Sequence, residues 1–251
     1  MGDKNALLSR LVYRGILRWA KEHSDVPFSI QQTHVNAVLP ELVGVKMNLQ
    51  DASAVRYLAR YGFESTDGNV DRGLEALRLL NTHYHRVVEE MRRTRREKSQ
   101  IVDAVKYKIG QVFRHKKYGY KGIIYGFDET CQRDEEWMRQ MGVRNPDMPF
   151  YYALPDEMDS TRFFGGFRLS KYVAEENIDA LEDGKVVHRA LENFFIGYSK
   201  DMKRYVPTKR LQFEYPDEEY ERMMIDMVPV ADDANLLLYD DDDNDTNASR
   251  E

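Results

Sequence analysis

The sequence predicts an α+β protein: an N-terminal three-helix bundle, then a small β-barrel with one short helix, then an acidic, disordered tail. Three observations predict it. Apolar residues recur at helical spacing through the first hundred positions, short runs rich in Gly, Tyr, Val and Ile follow Gln100, and acids take over at Asp217. The boundaries fall at 1–100, 101–218 and 219–251.

In the first segment, Leu8, Leu11 or Val12, Gly15 or Ile16, and Trp19 share one helical face. A second helix is expected from Leu49 to Tyr61, with Asn48 as cap, Asp51 in the first turn and Gly62 at a left-handed end. A third starts near Val70 and carries a stripe of Leu74, Leu77, Leu80 or Asn81, Tyr84, Val87 or Val88, and Met91. It ends in the basic stretch Arg92 to Lys98, whose cations either complement the helix dipole or form an anion patch.

The runs "YKIGQVF", "KGIIYGF", "PFYYAL", "TRFFGGFRL" and "KYVAEENI" are strand-sized and separated by turn residues. "RDEEWMRQMG" interrupts them as the short helix, with Trp137, Met138 and Met141 turned to the core and Gly142 as its stop. "HRALENFFIGYSKDM" has mixed periodicity and reads as loop plus short helix. "YDDDDNDTNASRE" has the low complexity of disorder.

Composition narrows the classes. A 251-residue chain with 42% hydrophobic and 12% aromatic residues can bury a real core, and no apolar run reaches the length of a membrane span. One cysteine, Cys131, excludes an intrachain disulfide or a CxxC pair and suits a reducing, intracellular compartment. Ala6 stands where myristoylation needs Ser or Thr, and neither a secretory apolar region nor a clear transit leader is present. The expected location is therefore intracellular, with a mitochondrial or other organellar site left open. The net charge of -6 divides into -11 from Asp217 onward and +5 before it, so a polyanionic partner is compatible with the body of the chain.

Chemistry-bearing motifs are missing: no GxxxxGK[ST], GxSxG, HExxH or GxGxxG occurs. His83 and His85, two apart on a helix, point to different faces and do not make a metal pair. Cys131 has no neighbouring histidine. Asp240, Asp242, Asn244, Thr246 and Glu251 sit at calcium-loop positions, but Asp245 replaces the required glycine. The expectation is a protein that is not an enzyme and uses no cofactor or metal.

One stretch stands out: "RHKKYGYKGIIYGFDETC", Arg114 to Cys131. Its glycines are not at phosphate-loop spacing, and "KKYGYKG" reads as a tight turn between two strands. Tyr118, Tyr120 and Tyr125 either pack across the strands or, with Arg114, Lys116, Lys117 and Lys121, stack bases and neutralise phosphates.

Tyr107 to Val143, "RNPDMPFYYAL" (144–154), "YVAEENI" (172–178) and "RYVPTKRLQFEYPDE" (204–218) together resemble the YccV/HspQ-type, or hemimethylated DNA-binding, domain. The resemblance implies a small, strongly bent SH3-like barrel without enzymatic activity. It implies either a specificity factor linking clients to ATP-dependent proteases or chaperones, the favoured expectation, or a module for hemimethylated duplex DNA. Arg114, Lys116, Lys117, Tyr118, Tyr120 and Lys121 are the candidate contacts in both cases. Two departures from the pattern are Tyr152, where the family carries His, and the insertion "PDEMDSTRFFGGFRLSK", whose Phe163, Phe164 and Phe167 are either extra core or a docking patch.

"LSRLVYRGILRWAKEH", with Val12-Tyr13-Arg14 in place of Leu-Tyr-Arg, resembles the opening helix of the Complex 1 LYR family, and Phe63 resembles its later Phe. That resemblance implies a mitochondrial assembly factor that binds acyl carrier protein, with Tyr13, Arg14 and Phe63 as its contacts. The alternative is an ordinary bundle helix.

Overall fold

α1 (Gly2–Glu22) buries Val12, Ile16, Trp19 and Ala20, and leaves Leu8 and Leu11 on the exposed side, so only the C-terminal part of the expected stripe faces inward. Trp19 meets Phe28 edge-on at 5.5 Å, and Phe28 faces Tyr84 at 6.1 Å. These rings cross the middle of the helical unit. The computed structural model describes residues 2–65, 69–182 and 184–230, and the chain divides into two compact units, Met1–Glu97 and Lys98–Glu251.

The first unit is not a plain three-helix bundle. A short α2 (Gln32–Val38) intervenes and packs Val35 with Leu39 and Leu42. α3 (Asp51–Ser65) contains Gly62 instead of ending on it; a Cβ there would stand 3.2 Å from Leu39 Cδ2, so this glycine serves a close approach. Asn69 caps α4 (Val70–Leu79), its side chain accepting from the amides of Asp71 and Arg72. A π-helical turn at Leu80–Tyr84 joins α4 to α5 (His85–Ile101). The extra residue of that turn resets the buried face, so Leu80, Tyr84, Val88 and Met91 are inside. Leu74 is exposed and its neighbour Gly73 is buried, a correction to the predicted stripe.

The second unit is β-rich. β1 (Val112–His115), β2 (Lys121–Asp128), β3 (Phe150–Pro155), β4 (Lys171–Ala174) and β5 (Ile178–Ala180) form an antiparallel sheet in the order β4-β3-β2-β1-β5. β6 (Phe195–Ser199), β7 (Arg204–Pro207) and β8 (Met227–Pro229) form a second one, β7-β6-β8. A bulge in β2 between Ile124 and Gly126 shifts its register against β3. Phe113, Ile123, Tyr151, Leu154, Phe195 and Tyr205 bring side chains from both sheets into one core. Gly110 stitches the sheets together: its N–H donates to Ile124 O and its C=O accepts from Tyr205 N. Its φ of +83° is left-handed, and a Cβ would overlap Tyr205 O.

Three expectations for this unit need correction. α6 (Glu135–Met141), capped by Asp134, does end at Gly142, but buries no residue, and Met141 is 51% exposed. "HRALENFFIGYSKDM" holds its short helix as a 3-10 turn at Leu191–Asn193, but it also contains β6, with Phe195 in the core; Gly197 and the irregular β6–β7 register broke its alternation. The unit also holds α7 (Glu157–Phe164), α8 (Lys209–Glu214) and α9 (Tyr220–Met223) in addition to the one helix expected. Ordered structure therefore runs past 218: Tyr220 and Met223 are buried with Val206, and β8 comes after them. The acidic pattern hid these apolar anchors. Residues 231–251, including the calcium-loop positions, lie outside the described residues. No described helix is long and apolar enough to cross a membrane.

Candidate nucleic-acid interface

The β1–β2 hairpin is closed by His115. Its N–H donates to Tyr120 O at 2.9 Å, its C=O accepts from Gly119 N at 2.7 Å, and its Nδ1 accepts from the amides of Lys117 and Tyr118. An Nδ1 that accepts twice must be unprotonated, which fixes a neutral Nε2–H ring. Burial, then the charges of Lys117 and Lys171, push this histidine down to about 4. Gly119 takes the left-handed position of the turn, with φ +76°.

The three tyrosines of this stretch divide. Tyr120 is buried against Phe113, His115 and Phe164, and burial pushes its hydroxyl well up; it is core and cannot touch a partner. Tyr125 is half-buried and packs on Phe194 at 4.5 Å. Tyr118 is 45% exposed, beside His115, with Lys117 Nζ 5.2 Å from its ring centre.

The insertion lands on this hairpin. Asp156 caps α7, accepting from Met158 N and Asp159 N, and Asp159 Oδ2 accepts from Lys121 N at 2.7 Å. Phe163 is 43% exposed, and its Cζ lies 3.7 Å from where a Gly119 Cβ would stand. Phe164 is half-buried on Tyr120 at 5.2 Å, and Phe167 faces His188 at 5.1 Å and Arg189 at 3.9 Å. The three phenylalanines thus split between core edge and exposed surface.

Cations surround these rings. Arg162 lies 5.3 Å from the Phe163 ring, and Lys171 and Arg168 lie 3.7 and 6.0 Å from that of Phe164. Arg114 Nη1 donates to Gly119 O, Lys116 Nζ to Glu176 O and Lys121 Nζ to Lys185 O. Among the described residues, none of Arg114, Lys116, Lys117, Lys121, Arg162, Arg168 and Lys171 forms an ion pair with a carboxylate. Lys171 is held below the usual lysine range, first by burial and then by Arg168. By contrast, Arg204 pairs with Asp217 and Glu219, Lys108 with Glu219, and Lys98 with Asp128. Sequence reasoning located the hairpin cations but missed Arg162, Arg168 and Lys171, although their place among the insertion's phenylalanines was a readable signal.

The other candidates lie elsewhere. Arg92 pairs with Asp25 at 2.6 Å and Glu89 at 2.9 Å, and Arg93 approaches Glu90 and Glu97, so these members of the basic stretch spend their charge locally. Tyr152 is half-buried, and burial followed by Asp128 pushes its hydroxyl up to about 12. In the helical unit Tyr13 and Phe63 meet, ring centres 5.2 Å apart, while Arg14 is exposed. His85 Nδ1 lies 3.2 Å from His23 Nε2, and His83 packs edge-on against His34. The two thus serve separate contacts, and the described residues contain no group of three metal-ligating side chains.

Comparison with known proteins places similarity on the second unit. Residues 105–203 match the family model for "Hemimethylated DNA-binding protein YccV like". F-box only protein 21 of Mus musculus is 33% identical over 117 residues, which is 45% of this chain and 17% of that protein. Its Homo sapiens counterpart is 32% identical over the same length, again 17% of the whole. The YccV-like likeness therefore resides in the β-rich unit that carries the basic hairpin, and F-box only protein 21 shares that region.

Proposed function

We propose that the second unit is a non-enzymatic recognition module that binds duplex DNA through the face made by the β1–β2 hairpin and the α7–β4 connection. One observation carries this reading: seven cations without carboxylate partners among the described residues are interleaved with the rings of Tyr118, Phe163 and Phe164. Phosphates supply the missing counter-charge, and exposed rings can pack on sugars or stack on bases. The family description of the matched region points the same way. The order β4-β3-β2-β1-β5, joined to the second sheet through Gly110, supports an SH3-like barrel as the scaffold. The test is a titration of the full chain with hemimethylated, fully methylated and unmethylated duplexes at several salt concentrations. Affinity should fall steeply with salt and favour the hemimethylated duplex. A weak, salt-insensitive titration with all three duplexes would sink the proposal.

A second reading is favoured by the similarity to F-box only protein 21: the same face docks an acidic protein client and the chain works as an adaptor to a protease or chaperone. Affinity purification with mass spectrometry, with and without nuclease, tests it. Protease subunits or a chaperone retained after nuclease treatment, together with no affinity for duplex DNA, would favour this reading over the first.

A further inference from the structure

Val230 packs against the core of the second unit and lines a groove of about 340 Å³ of mixed charge, with Lys185, Arg189, Glu157 and Glu192 among its walls and Arg189 paired to Glu157. That groove adjoins the basic face. Lys121 Nζ donates to Lys185 O at 3.2 Å, and Lys121 is the cross-strand partner of Arg114. The residues after Val230 therefore start one contact away, through Lys185, from Lys121 and Arg114 of the basic face, which have no carboxylate partner among the described residues. Their sequence is "ADDANLLLYDDDDNDTNASRE", with eight acidic residues and one basic, and with Asp240 to Asp243 contiguous.

We propose that residues 231–251 dock on the basic–aromatic face of their own chain, with Asp240 to Asp243 occupying the positions that phosphates would take. Reach is sufficient: ten residues extend up to about 33 Å, and a folded unit of this size is about 35 Å across. The charges complement one another, and tethering holds the acids at an effective concentration near the millimolar range. The segment then acts as a built-in competitor for polyanions. That consequence rests on the DNA-binding reading; the docking itself does not.

Two measurements on the full chain test this. A carbodiimide couples carboxylates to lysine amines in contact, and an equimolar mixture of light and heavy-isotope protein separates links within a copy from links between copies. Asp240 to Asp243 should couple to Lys116, Lys117, Lys121 or Lys171 within one copy, and the links should vanish at about 1 M salt, where screening is nearly complete. Links confined to Lys4, Lys21 or Lys46 of the first unit, links only between copies, or no links overturn the docking. The second measurement replaces Asp240, Asp241, Asp242 and Asp243 with Asn. Duplex affinity should rise about tenfold at 0.1 M salt, and an unchanged affinity overturns the competition. If neither protein binds duplex, the DNA-binding reading falls while the cross-links still decide the docking.

Discussion

Lys171 Nζ stands 3.7 Å from the centre of the Phe164 ring, where the α7–β4 connection meets the β1–β2 hairpin. The ring compensates in part for burial, yet no carboxylate among the described residues neutralises the charge. Lys171→Gln, or Lys121→Gln, should weaken duplex binding across all sequences and reduce the slope of log affinity against log salt by about 0.9 for each phosphate left without its cation. Lys108→Gln, whose cation already pairs with Glu219, should leave the slope unchanged. Salt-series anisotropy measurements on the three variants check this.

His115 ties acid stability to the hairpin. Its folded value of about 4 lies below the ordinary 6.5, so between those two values the unfolded chain binds the additional proton. Stability contributed by the neutral ring is complete above pH 6.5, declines as pH falls, and levels off below 4, a span of at most about 3 kcal/mol. Protonation also removes the acceptor for the amides of Lys117 and Tyr118. Urea midpoints from pH 7.5 to 4 should fall, and His115→Gln should flatten that dependence while lowering stability at pH 7.5.

Gly110→Ala should be among the most damaging single changes in the second unit. It combines a left-handed φ with overlap onto the Tyr205 carbonyl at the seam between the sheets. The expected loss is about 3 kcal/mol or more, seen as a lower urea midpoint. A change of less than about 1 kcal/mol, within the ordinary range for single substitutions, would refute the seam.

Lys98 Nζ donates to Asp128 at 2.7 Å and to Phe127 O at 2.6 Å, and both charged side chains are largely enclosed. Tyr172 also donates to Asp128. Lys98→Met strands the carboxylate and should cost about 3 kcal/mol, whereas Lys98→Met with Asp128→Asn should recover most of that loss. Thermal unfolding of the two variants separates these outcomes.

Local chemistry explains what was legible. Gly142 announced a helix end as a left-handed stop, and the "KKYGYKG" turn announced its hairpin, while the caps Asn69 and Asp134 became evident only in the structure. Non-local requirements stayed hidden. Gly73 is buried because a Cβ there would lie 2.6 Å from Val12 Cγ1 and 2.8 Å from Phe63 Cζ, and no periodicity within its own helix records those neighbours. Tyr220 and Met223 lie among acids, yet they fill space beneath Val206. The basic face was half legible: the hairpin cations are adjacent in sequence, whereas Arg162, Arg168 and Lys171 reach them only through the packing of Phe164 on Tyr120.

The bulge between Ile124 and Gly126 also makes the length of β2 a piece of information in its own right. Side chains alternate along a strand, so removing Tyr125 would keep Phe127 opposite Tyr151 and Asp128 opposite Phe150 while straightening the strand, whereas removing Ile123 would invert the parity of the arm before the bulge. Many substitutions in this strand can be absorbed by neighbouring side chains, but a one-codon deletion outside the bulge cannot. Relatives that keep this sheet should vary in letters across β2 and agree in count.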